Sequence, residues 1–172
     1  TPYHFLTRQV IYLLIGIFGA YIIYKIDLEK IKKYSLFLVL ANIALLAAVF
    51  IPGIGWGSGG AKRWIILGPL QLQPTELLKL TFIIFAATWL AKAVESLRSK
   101  KTTITNFRHL AMCCIVFIVI AAILIKQPDI SSFAVLFFIF SIMLFVSGIQ
   151  LRYFLGIIIL GLTILISIIL RM

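Results

Sequence analysis

The chain has 172 residues, of which 63% are hydrophobic and 12% charged, and its formal net charge is +11. A soluble domain is nearer half apolar and a quarter charged, and a disordered chain is poorer still in apolar residues, so both classes are excluded. What remains is an all-α, polytopic integral membrane protein, with room for about six crossings of about 20 residues each.

Six apolar runs follow in chain order, at about residues 10–26, 35–51, 75–93, 110–125, 133–148 and 154–170. They are long and continuous and lack the polar/apolar alternation of a barrel wall, which predicts six transmembrane helices in one domain over residues 1–172. Charge sets their orientation. Lys25, Lys30, Lys32, Lys33, Lys92, Arg98, Lys100, Lys101, Arg108 and Arg152 fall on one side, and Arg8, Lys62, Arg63, Lys126 and Arg171 on the other. The richer side is cytoplasmic by the positive-inside rule, so both chain ends face outward. Tyr24, Tyr34, Trp56, Trp64 and Tyr153 sit near run ends, as an interfacial aromatic belt requires. Topology and anionic membrane lipids explain the basic excess, and nucleic acid is not expected as a partner. The chain opens at Thr1 without Met and stops directly after an apolar run, so an interior piece of a longer protein is expected.

The stretch from Gly53 to Lys79 carries the most chemistry. Six glycines between Gly53 and Gly68 predict a flexible outward loop that permits close backbone approach. Lys62, Arg63 and Trp64 then place two cations and an amphipathic ring at the outer interface. They suit an anionic headgroup whose phosphate Arg63 and Lys62 would hold, and equally an interfacial anchor of basic and aromatic residues. Gln73-Pro74-Thr75-Glu76 has the form of a helix start, where proline is tolerated and an acid complements the dipole. Lys79 opposes that dipole, but it shares a helix face with Glu76 three residues before it and can pair with it. Charges inside a span usually face protein or a wet cavity.

The second outward turn is Lys126-Gln127-Pro128-Asp129-Ile130-Ser131-Ser132. Asp129 can cap the following helix through the N–H of Ser131 or Ser132. Alternatively, Gln127 and Asp129 face the same outer cavity as Glu76, as polar ligands or as a charge partner for Lys79. Cys113 and Cys114 are adjacent on one run and read as packing residues. His4 and His109 lie at opposite faces and make no metal pair. No P-loop, dinucleotide fingerprint, Gly-x-Ser-x-Gly elbow or Cys/His ligand spacing occurs, so no cofactor is identified.

At Gly60-Ala61-Lys62-Arg63-Trp64-Ile65, Leu67-Gly68, Gln73-Pro74-Thr75-Glu76 with Lys79, Gln127-Pro128-Asp129 and Phe145-Val146-Ser147-Gly148, the chain resembles the shape, elongation, division and sporulation (SEDS) family of RodA- and FtsW-like proteins. The resemblance covers essentially the whole chain and implies the second to seventh of the family's ten transmembrane helices. It departs at Ile130-Ser131-Ser132, where the family usually reads Leu-Gly-Thr after the aspartate. The resemblance implies a peptidoglycan glycosyltransferase that polymerises lipid II at the outer face of the bacterial cytoplasmic membrane. Arg63 and Lys79 would serve the anionic, polyprenyl pyrophosphate-linked substrate, with Lys62, Trp64, Gln73, Gln127 and Asp129 around it and Glu76 pairing with Lys79 in a central cavity. It also implies a class B penicillin-binding protein as partner and admits a divalent cation. The family's essential aspartate belongs to a loop after the seventh helix. No catalytic base is therefore assigned here, Glu76 and Lys79 are supporting residues, and no turnover is expected of the 172 residues alone. Two other readings stay open at this level: a transporter or lipid flippase with Glu76, Lys79 and Asp129 along a polar path, and a non-catalytic scaffold for a synthase.

Overall fold

The computed structural model describes residues 2–57, 62–67, 70–98, 103–148 and 151–169. Six helices take up the six apolar runs: α1 (Pro2–Lys25), α2 (Leu28–Ala48), α3 (Pro74–Arg98), α4 (Thr103–Lys126), α5 (Ile130–Val146) and α6 (Leu151–Ile169). Among the described residues, α2 and the segments Pro74–Glu95 and Arg108–Lys126 are long and apolar enough to cross a membrane. Gln9–Lys25, Ile130–Val146 and Phe154–Thr163 are shorter apolar segments. Several helices outrun their apolar windows, because outside hydrocarbon a helix needs paired backbone rather than apolar side chains. At the start of α2, the Asp27 carbonyl accepts from the N–H of Lys30 and Ile31 at 3.0 and 3.2 Å. The Asp27 carboxylate accepts from Glu29 N–H at 3.2 Å. Lys32 Nζ lies 2.7 Å from Glu29 and supports the same turn.

The chain forms two compact units, Thr1–Tyr34 and Ser35–Met172. The first holds α1 and the opening turns of α2, and the α1 side chains described from Leu6 onward are largely exposed, as lipid-facing apolar residues can be. In the second, α3 packs on α4 and α5, α4 on α5, and α5 on α6. Its centre is aromatic: the Phe82, Phe117 and Phe140 rings lie within 4.9–5.8 Å of one another, centroid to centroid. Val39 and Leu46 of α2 join that core. Asn42 Nδ2 donates to Thr81 Oγ1 at 3.2 Å, a polar tie from α2 to α3 of the kind membrane bundles use. A Cβ at Gly161 would stand 1.9 Å from the Phe137 ring, so only glycine lets α6 approach α5 there.

Part of the expected flexible loop is strand instead: β1 (Gly55–Trp56) and β2 (Trp64–Leu67) join β3 (Leu70–Leu72), just beyond it, in a three-stranded antiparallel sheet of order β1-β2-β3. Trp56 pairs with Trp64, Ile65 with Leu72, and Leu67 with Leu70. The physical reason was present in Trp64-Ile65-Ile66-Leu67, a run of strand formers separated by two residues from the short apolar stretch that pairs with it. Gly55 serves close approach rather than flexibility: a Cβ there would fall 1.8 Å from the Val49 carbonyl oxygen just past the end of α2. Gly60, Ala61, Gly68, Lys100, Lys101 and Arg171, to which the sequence assigned motif or orientation roles, lie outside the described residues.

Candidate functional site

The site is assembled by the start of α3, the sheet, and the turn between α4 and α5. The first turn of α3 places proline at its first position and Glu76 at its third, with Glu76 N–H donating to the Gln73 carbonyl at 3.1 Å. Pro74, Thr75 and Leu78 are buried, while Glu76 and Lys79 occupy the neighbouring face. Lys79 Nζ lies 2.8 Å from both Glu76 Oε1 and Oε2, so the ammonium sits between the two carboxylate oxygens. The side chains are 59% exposed for Glu76 and 26% for Lys79. Gln73 is half-buried immediately before them.

A second ion pair joins residues distant in sequence. Arg63 N–H donates to the Trp56 carbonyl at 3.2 Å, which fixes its backbone at the start of β2. Its side chain crosses to the α4–α5 turn, where Nη2 donates to the Pro128 carbonyl. Its Nη1 lies 3.9 Å from Asp129 Oδ1, and the side chains are 34% exposed for Arg63 and 1% for Asp129. Asp129 also caps α5, accepting from Ser132 N–H at 3.3 Å and from Ser131 Oγ at 3.1 Å. Its other oxygen, Oδ2, is buried without a hydrogen-bond partner, as is Arg63 Nε. A carboxylate this deep is tolerable only with a cation and donors around it, which is what this turn provides.

Gln127 is buried as well, and its Nε2 donates to the Leu46 carbonyl at 2.9 Å. Leu46 belongs to the last turn of α2, where carbonyls lose their helical partners, so Gln127 closes the end of that helix. Two expectations are thereby corrected. The charge partner of Asp129 is Arg63, whereas Lys79 is taken by Glu76. Gln127 is buried with its Nε2 committed to α2, while its Oε1 has no hydrogen-bond partner. Trp64 is half-buried beside Trp56, and Lys62 is exposed. The Lys126 ammonium stands 5.3 Å from the Phe50 ring centroid.

The sequence reading missed the backbone acceptors Pro128 and Leu46, and also Thr75, which is fully buried with Oγ1 unpartnered. No local pattern marks a carbonyl that a distant side chain will use. Two cavities lie elsewhere. One of about 190 Å³ is lined by Phe117, Ala121, Phe140 and Gly161, and one of about 720 Å³ by Leu90, Glu95, Met143 and Ser147. Among the described residues no three His, Cys, Asp or Glu side chains gather as a metal cage.

The chain and its fold have relatives among known proteins. The profile of the FtsW/RodA/SpoVE family, described as cell cycle proteins, matches residues 1–172. The chain is 36% identical over 160 residues to the probable peptidoglycan glycosyltransferase FtsW of Haemophilus influenzae, covering 93% of this chain and 39% of that protein. To the FtsW of Geobacter metallireducens it is 34% identical over 160 residues, covering 93% and 41%. The crystal structure of Thermus thermophilus rod shape determining protein RodA superposes with a TM-score of 0.70 at 29% identity, covering 92% of this chain and 50% of that one. A structure of a peptidoglycan synthase complex that coordinates polymerization and crosslinking gives a TM-score of 0.72 at 27% identity, covering 97% and 47%. The chain thus spans about two-fifths of the length of these curated relatives. With the profile matched from end to end and the bundle shared with RodA, the chain belongs to the FtsW/RodA/SpoVE family of cell cycle proteins.

Proposed function

We propose that this chain is the substrate-facing part of a peptidoglycan glycosyltransferase that polymerises lipid II into glycan strands at the outer face of the bacterial cytoplasmic membrane. The observation that carries the reading is the placement of Arg63 and Lys79, each within 4 Å of a carboxylate, in a chain matched along 93% of its length by FtsW. In the proposed reaction a sugar hydroxyl of one disaccharide attacks the anomeric carbon of another. The carbon–oxygen bond to the polyprenyl pyrophosphate breaks, and negative charge collects on the departing pyrophosphate. Cations aimed at that charge lower the barrier, and guanidinium in particular matches phosphate oxygens in pairs. Glu76 directs Lys79, and Trp64 follows Arg63 at the start of the central strand with an amphipathic ring suited to the headgroup region. The base that takes the hydroxyl proton is not assigned to any residue of this segment.

The structurally similar synthase complex coordinates polymerization and crosslinking, which supports a crosslinking partner here too, of the class B penicillin-binding type. The test is polymerisation of lipid II by the protein expressed over its full coding length. Glu76→Ala, which leaves the fold almost untouched, is expected to abolish glycan strands while membrane insertion stays normal. Normal polymerisation by a well-expressed Glu76→Ala variant would overturn the reading. Lipid movement across liposomes without polymer would replace it with transport.

A further inference from the structure

We propose that Asp129 is a positioning residue for Arg63: the buried carboxylate at the start of α5 fixes where the guanidinium points, and through it how the anionic substrate is held. The inference rests on the reading of Arg63 as a phosphate-binding residue and adds what gives that residue its direction. Three observations carry it. Asp129 is 1% exposed and the Arg63 side chain 34% exposed, so a buried anion anchors a side chain that still meets solvent. The carboxylate is itself immobilised, because Oδ1 serves the α5 cap through Ser131 and Ser132. The turn that carries it is tied down on both sides, by Gln127 to the end of α2 and by the Pro128 carbonyl to Arg63.

A long, flexible arginine just before a strand of a small sheet gains a fixed direction from such a partner. Nη1 and Nη2 each turn toward the α4–α5 turn and Nε is buried. The second N–H of each Nη is what remains for phosphate oxygens. The arrangement also explains why a charge is kept at a buried cap position where Asn or Ser would cap equally well. The cap needs an acceptor, and Arg63 needs an anion.

Asp129→Asn separates the two roles, since it preserves the cap and removes the charge. It is compared with Asp129→Asn/Arg63→Ala, a double variant that leaves no buried carboxylate unpaired and so keeps the fold. Both are made in the protein over its full coding length, with lipid II as the probe and thermal unfolding as the control. Asp129→Asn is expected to lower kcat/KM for lipid II about tenfold, mainly through a higher KM, with an unfolding midpoint near that of the parent. Adding Arg63→Ala is expected to change this by less than twofold, as groups acting through one another do not add. Unchanged activity in Asp129→Asn with inactivity of the double variant overturns the positioning role and leaves Arg63 in the substrate site. A full further loss on adding Arg63→Ala to an impaired Asp129→Asn also overturns it. Normal activity of both variants overturns the substrate role of Arg63 together with its positioning.

Discussion

The two ion pairs differ in every physical respect except charge. Glu76 and Lys79 are three residues apart on one helix, both reach solvent, and their geometry follows from the helical repeat. Arg63 and Asp129 come from the segment just before β2 and from an interhelical turn, and the carboxylate is almost wholly buried. Exposed pairs contribute little to stability because water screens both members. In a buried pair, the cost of breaking it depends on which member is left behind. The first pair therefore contributes little to stability, whereas the second ties the segment before β2 to the α4–α5 turn.

That contrast can be broken most forcefully at Arg63. Arg63→Ala strands the Asp129 carboxylate and is expected to cost about 3 kcal/mol, more than Asp129→Asn, which leaves a guanidinium that can turn to solvent. Thermal unfolding of the two variants in one detergent checks the order, and the double variant should recover most of the Arg63→Ala loss. Next comes Gly55→Ala, which drives a Cβ against the Val49 carbonyl and forces backbone to move, at about 2 kcal/mol. Because it lifts the sheet that carries Arg63, it should lower lipid II polymerisation along with the unfolding midpoint. Gln127→Ala unties the α4–α5 turn from Leu46 and leaves a buried carbonyl unpaired, about 1–2 kcal/mol in the same measurement. Glu76→Ala is expected to cost less than about 1 kcal/mol while abolishing polymerisation, which is the sharpest separation of stability from activity in the set. A large stability loss there would erase the contrast between the pairs.

How much of this was legible beforehand follows from the range of each interaction. Glu76 with Lys79 and the Asp129 cap rest on offsets of three residues, and both were read from spacing. The choice between Lys79 and Arg63 as partner for Asp129 was not legible, because it depends on how the sheet lies against the α4–α5 turn. The sheet itself was hidden by its glycines, which outweighed the short run Trp64–Leu67 in a stretch that looks like loop. Gln127 looked like a ligand because its neighbours are polar; only the end of α2 arriving beside it shows that its Nε2 is spent on the Leu46 carbonyl.

The sequence alone determined the membrane class, the six helices and the local pairing within α3, since bilayer thickness and the 3.6-residue repeat act on neighbours in the chain. It also carried the family resemblance, through short motifs that need no coordinates. Tertiary structure decided which distant groups meet: Asn42 with Thr81, Gly161 with Phe137, Leu46 with Gln127, and Arg63 with Asp129. Those contacts cross between elements whose relative placement is set by packing the aromatic core, and no local rule encodes where a helix end or a strand will come to rest.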